Sequence, residues 1–196
     1  IQYHFLPGAI TYDGTVAFAG HGFQVHVGHN KPTSRGSITA ISSDIRVHPK
    51  IQFNYLSTES DRAGFRASVR LTREIMQQKS MKPFLGQVIQ PKDNIQSDDE
   101  IDDFIRNSVD SAYHPCGTCK MGESNNAVVD ENLKVHGING LRVIDSSVFP
   151  SIPNGNLNAP TMMLAERGAD IIKNKLLNPD KKVNIYLNKN WQNSQK

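Results

Sequence analysis

Apolar and polar residues alternate with a period of two through much of the first sixty positions, and with a helical period after them. FQVHV (23–27) and IQFNY (51–55) both alternate. In the second, Ile51, Phe53 and Tyr55 would point to one side and Gln52 and Asn54 to the other. RGSITAIS (35–42) is a third such segment, and the opening IQYHFLPG reads as a strand already under way. NKPTSRG is turn chemistry between them. The pattern predicts a half-buried, mostly antiparallel sheet. The period then lengthens. Over 61–79, Phe65, Val69, Leu71, Ile75 and Met76 form one broad apolar face of a predicted helix. A second helix is predicted over 97–109, with Ile101, Phe104, Ile105 and Val109 as its buried stripe. Ser97 can cap it while Glu100 reaches back, a capping box.

The last third is mixed. LRVID (141–145) is a short apolar run ending in an acid, read as a strand. SSVFPSIPNGNLN is irregular. Met162, Ala165, Ala169, Ile172 and Leu176 fall at steps of three and four, a helix that starts near Pro160 and ends at the NP of 178–179. Strand, loop and helix in that order make an α/β unit, whose ligands favour the loop beyond the strand's carboxyl end. Met162 and Met163 are expected in the helix core.

Composition narrows the picture modestly. The 196 residues are 37% apolar, enough for one large domain or two small ones. A net charge of +3, scattered along the chain, does not argue for nucleic acid. The acids Asp98, Asp99, Glu100, Asp102 and Asp103 crowd a helix start, where the dipole favours them; they read as a solvated face, not a metal site. No signal peptide and no apolar run of about 18 residues are seen, so a cytoplasmic or membrane-associated location is expected. The tail KKVNIYLNKNWQNSQK reads as a loosely held terminus. His26 and His29, as H-x-x-H on a strand, would point to opposite faces, so surface or cleft positions are expected rather than a metal.

The candidate chemistry lies in SAYHPCGTCKMG (111–122). PCxxC is half of a zinc-deaminase signature, but no histidine is followed two positions later by Glu, and there is no third cysteine. CGTC also resembles a redox dithiol, yet Gly122 opposes the helix that would lower a thiol pKa. Small buried apolar side chains are the plain alternative for Cys116 and Cys119. The third reading uses His114. Pro115 holds it extended, Gly117 allows a sharp turn or a close approach, and Tyr113 stands beside it. Spacing alone does not separate a general base from a hydrogen-bonded structural histidine.

Taken together, YHPCGTCKMG and VVDENLKVHGINGLRVIDSSVFPSIPNGNLNAPTMMLAERGADII resemble the C-terminal signature of the glucose–methanol–choline (GMC) flavin oxidoreductases. HGFQVHVG, SRGSI, FNYLS and RLTREIM resemble its choline-oxidising members. The resemblance implies an α+β / α/β C-terminal portion. Residues 1–110 would belong to an antiparallel-sheet substrate domain, 111–178 would carry the active-site segment and the returning strand–helix of the FAD-binding domain, and 179–196 would be a polar tail. It implies His114 at the reacting centre, taking the hydroxyl proton or stabilising the alkoxide while hydride passes to flavin N5. Asn158 would be its partner. Tyr113 would contribute to an aromatic cage for a trimethylammonium head. Asp145, Asn158, Ala159, Pro160 and Thr161 would line the flavin. The implied substrate is choline, taken to betaine aldehyde. The electron acceptor is open and peripheral membrane association is possible. The resemblance leaves room for another alcohol, aliphatic or polyethylene-glycol-type, and the thiol or zinc module at Cys116 and Cys119 stays as a non-enzymatic alternative. The G-x-G-x-x-G fingerprint for FAD is absent; GHGFQVHVG is not one. The expectation is a fragment that is inactive alone.

Overall fold

The computed structural model describes residues 1–9 and 20–175. Its strands form two separate antiparallel ribbons. β1 (Gln2–Leu6) pairs with β2 (Gln24–Gly28), from Gln2 opposite Gly28 to Leu6 opposite Gln24. β3 (Ser37–Thr39) pairs with β4 (Lys50–Gln52), with Ile38 opposite Ile51. The alternation of 51–55 therefore yields a strand only to Gln52. Asn54 (φ 57°) and Leu56 (φ 59°) adopt left-handed backbone, which ends the two-residue period. Phe53 and Tyr55 instead stack their rings, with centroids 5.0 Å apart.

α1 (Glu59–Met76) starts at Thr58, whose hydroxyl accepts the Asp61 N–H. Its buried face is not the broad apolar one expected. Asp61, Ser68 and Val69 are buried, while Leu71 and Ile75 are exposed. Asp61 is 3% exposed and accepts hydrogen bonds from the Thr33 N–H (2.8 Å), the Thr33 hydroxyl (2.9 Å) and the Ser34 N–H (2.8 Å). It ties the 33–34 turn to the helix. His29 lies just past β2, and its ring stacks on Phe65 at 4.7 Å. Gly64 makes this possible, since a Cβ there would sit 1.8 Å from His29 Cε1.

α2 (Asp98–Ser108) has the capping box and the buried stripe read from the sequence, with Ile101 and Ile105 closed off. With Val69 they form one small core, flanked by Phe65, Phe104 and Val109. The acidic run does more than start a helix. Asp102 takes two hydrogen bonds from Arg66 of α1, at 2.8 and 3.0 Å, and Asp98 pairs with Arg70. Both Arg66 bonds come from Nη1, and these charge-assisted pairs tie α1 to α2.

A second core joins Val129, Leu133, Val148 and Leu164. Residues 141–145 do not form the expected strand. They hold one bridge, Lys134 to Arg142, and a Val143 N–H to Leu133 C=O bond. A buried parallel strand needs neighbours on both sides, and among the described residues only 133–135 lies alongside. α3 (Asn158–Ile172) packs against this stretch through Gly168, where a Cβ would lie 2.7 Å from Ile144 Cγ2. Met162 and Met163 are 58% and 62% exposed, so they face away from the core. The helix stops at Ile172; Leu176, the NP of 178–179 and the tail lie outside the described residues.

Candidate active site

The histidine segment is threaded along a turn. Cys119 N–H donates to Ser147 C=O at 2.9 Å, and Met121 N–H to Val148 C=O at 2.8 Å. Ser146 Oγ donates to Pro115 C=O at 3.5 Å. Gly117 has φ +89°, and a Cβ there would meet Phe149 C=O at 3.3 Å, so both its conformation and its tight contact favour glycine. Asp145 caps the turn, accepting the Ser147 N–H at 2.8 Å, and is itself exposed.

At the other end of this segment, Tyr113 is left-handed (φ 59°) and 73% exposed, with its N–H on Ser111 Oγ at 3.0 Å. The next residue, His114, is half-buried. The backbone N–H of Leu157 donates to His114 Nδ1 at 3.5 Å, across 43 residues of sequence. Asn158 follows directly and opens α3. His114 is thus brought to the helix start that carries Asn158, Ala159, Pro160 and Thr161. Thr161 Oγ spends its proton on Leu157 C=O at 2.7 Å, so it can meet a ligand only as an acceptor.

The α3 start has no side-chain cap and no acid in its first turn. Its first N–H groups have no intrahelical partners, and the helix dipole places partial positive charge there. Asn158 and Ala159 are exposed. This donor set fits the polar edge of a flavin ring carrying negative charge.

The cysteines show a different environment. Both thiols are free and half-buried. Burial pushes the Cys116 thiol up, only partly opposed by the Arg35 charge, which works against a reactive thiolate. Among the described residues, no three His, Cys, Asp or Glu side chains gather as a metal group. Also among them, no helix is long and apolar enough to cross a membrane.

Sequence reasoning missed the contacts that hold the loop before Asn158. Gln2 and Asn30 reach it through side-chain amides, from 154 and 124 residues away. No local spacing marks such pairs.

The sequence model of the GMC oxidoreductases matches residues 32–165, well over half the chain. The chain belongs to the GMC oxidoreductase family. Among GMC relatives, the oxygen-dependent choline dehydrogenase of Vibrio vulnificus is 55% identical over 198 residues, covering 100% of this chain and 35% of its own length. That of Photobacterium profundum is 53% identical over 199 residues, with the same coverage of each. Pyridoxine 4-oxidase from Mesorbium loti is a structural neighbour, with TM-score 0.76 and 31% identity, over 86% of this chain and 33% of its own. The formate oxidase of Aspergillus oryzae, in a structure addressing FAD modification, superposes with TM-score 0.76 and 30% identity, over 82% and 28%. This chain therefore spans about a third of the length of the GMC relatives it matches.

Proposed function

We propose that this chain is the C-terminal part of an FAD-dependent alcohol oxidoreductase that takes choline to betaine aldehyde. One observation carries the reading: the His114 ring lies on the Leu157 amide, immediately before Asn158 at the start of α3. Two chemistry-bearing side chains far apart in sequence are thereby placed at one uncapped helix end. FAD, when bound, supplies the two-electron acceptor. Asn158, Ala159 and the first amides of α3 would hold its ring edge, with Asp145 shaping the neighbouring turn. Residues 1–110 would form the substrate side and 111–178 the active-site and cofactor side.

His114 would face the substrate oxygen with Nε2. A neutral ring whose Nδ1 accepts the Leu157 N–H carries its proton on Nε2. It therefore donates to the oxygen and stabilises the alkoxide left when the hydroxyl proton passes to solvent; taking that proton at Nε2 itself would require release of Leu157. Asn158 supplies a second polar group at the same oxygen. Tyr113, exposed and aromatic beside His114, suits the trimethylammonium head, where cation–π attraction contributes ~0.5–2 kcal/mol. The choline-dehydrogenase names of the relatives at 53% and 55% identity favour choline over another alcohol.

The test is His114→Ala in the full-length polypeptide, followed by anaerobic stopped-flow of flavin reduction with choline. A loss of roughly 10²–10³ is expected, the scale of removing one donor to a developing oxyanion. A loss of less than about tenfold would remove His114 from the reacting centre. This chain alone, given FAD, choline and an artificial acceptor, should show no turnover, and turnover would refute its dependence on the rest of the polypeptide.

A further inference from the structure

The loop that leads into Asn158 is gripped by the first ribbon. Gln2 Nε2 donates to Asn156 Oδ1 at 3.1 Å, and Asn30 Nδ2 donates to Asn154 Oδ1 at 3.2 Å. The register sets Gln2 opposite Gly28, so Gln2 and Asn30 stand at the same end of the β1–β2 ribbon. Between the two acceptors lies Gly155, with φ +91° and its Cα close to Gln2: a Cβ would sit 3.7 Å from Gln2 Oε1. The next residue after Asn156 is Leu157, whose N–H meets His114 Nδ1 at 3.5 Å. That bond is long, so a small movement of the loop would break it. A single exposed amide pair restrains little. Two pairs flanking one left-handed glycine fix both the position and the direction of the chain.

We propose that Gln2 and Asn30 are positioning residues. They form an amide clamp on Asn154 and Asn156 that keeps the Leu157 N–H on the His114 ring and so selects the Nε2–H form of that ring. The consequence for catalysis rests on the function proposed above for His114; the clamp itself does not. Its effect is transmitted through backbone, so it is expected to change the state of His114 without touching substrate or cofactor.

The experiment is nitrogen NMR of the histidine rings in the full chain, at a pH where they are neutral. The His114 signals are assigned by their loss in His114→Gln. Wild type should show Nδ1 without a proton and Nε2 with one. Gln2→Ala/Asn30→Ala should lose most of the separation between the two nitrogen shifts, as the ring exchanges between its two neutral forms. Asn154→Asp/Asn156→Asp keeps both acceptor oxygens and should retain the wild-type pattern, whereas Asn154→Ala/Asn156→Ala should lose it. Backbone spectra and the methyl signals of Val129 and Val148 report folding in each variant. Wild-type His114 signals in a folded Gln2→Ala/Asn30→Ala chain would overturn the clamp. So would Asp variants that behave like the Ala variants, a comparison that stands even if the first double variant does not fold. No turnover is measured, so loss of the clamp and loss of the oxidoreductase reading are separate outcomes.

Discussion

Asp61→Asn should destabilise the chain by roughly 2.5 kcal/mol near neutral pH and by almost nothing in strong acid. Burial by itself would push this carboxyl up, but hydrogen bonds from Ser34 and Thr33 overrule it and hold it at about 2, against 3.8 for a free aspartate. At about 1.4 kcal/mol per pH unit, the interval between those values is worth roughly 2.5 kcal/mol. The folded value lies below the unfolded one. The stabilisation is therefore complete above about 3.8 and is lost as the pH falls through about 2. Asparagine keeps the shape and can accept from one N–H, but its NH₂ must then face another donor. Urea unfolding of both chains, followed by circular dichroism across the acid range, reads the difference directly. Other carboxylates held low, such as Asp98 and Glu100, are common to both chains and drop out. A gap below about 0.5 kcal/mol at neutral pH, the scale of an ordinary surface change, would refute the reasoning. So would a gap that stays constant down to the lowest pH.

Gly64→Ala should cost about 1–3 kcal/mol by driving the His29 ring off Phe65, since the new Cβ would lie 1.8 Å from His29 Cε1. In a His29→Ala background the sign should reverse, with the alanine stabilising the helix by ~0.5–1 kcal/mol; urea midpoints of the four chains give the cycle. Gly168→Ala should likewise lose about 1–3 kcal/mol against Ile144, and Ile144→Ala should absorb most of that added loss, read as thermal midpoints. Cys116→Ser/Cys119→Ser in the full-length polypeptide should keep most of the turnover proposed above, because the half-buried Cys116 thiol is pushed up rather than activated.

What was legible in the sequence was local. The capping box at Ser97 and Glu100 and the stripe Ile101–Ile105 appear in α2 because each depends only on residues a turn away. The strand segments were legible up to the left-handed residues, but their division into two ribbons with mostly exposed residues, in place of one half-buried sheet, was not. Asn54 is a residue type that tolerates left-handed backbone, but the alternation around it outweighed that signal and Leu56 carries none, so the strand was read three residues too far. Burial was read less well where polar groups are internal. Asp61 and Ser68 are enclosed because the Thr33–Ser34 turn and the Gly64 carbonyl satisfy them. No hydropathy pattern contains that information.

The candidate site shows the same division more sharply. His114, Tyr113 and Asn158 are residue types with chemistry, so a motif can point at them. The group that links His114 to Asn158 in space is a main-chain N–H, and every residue except proline has one. Its usefulness comes from where the loop holds it, and that is decided by Gln2 and Asn30 at the far end of the chain. A substitution at Leu157 that preserves apolar volume would keep the N–H, while one at Gln2 would leave every motif residue in place and still loosen the ring. Activity in such a site is therefore expected to respond to two half-buried amides at one end of the ribbon, far from any motif residue in sequence.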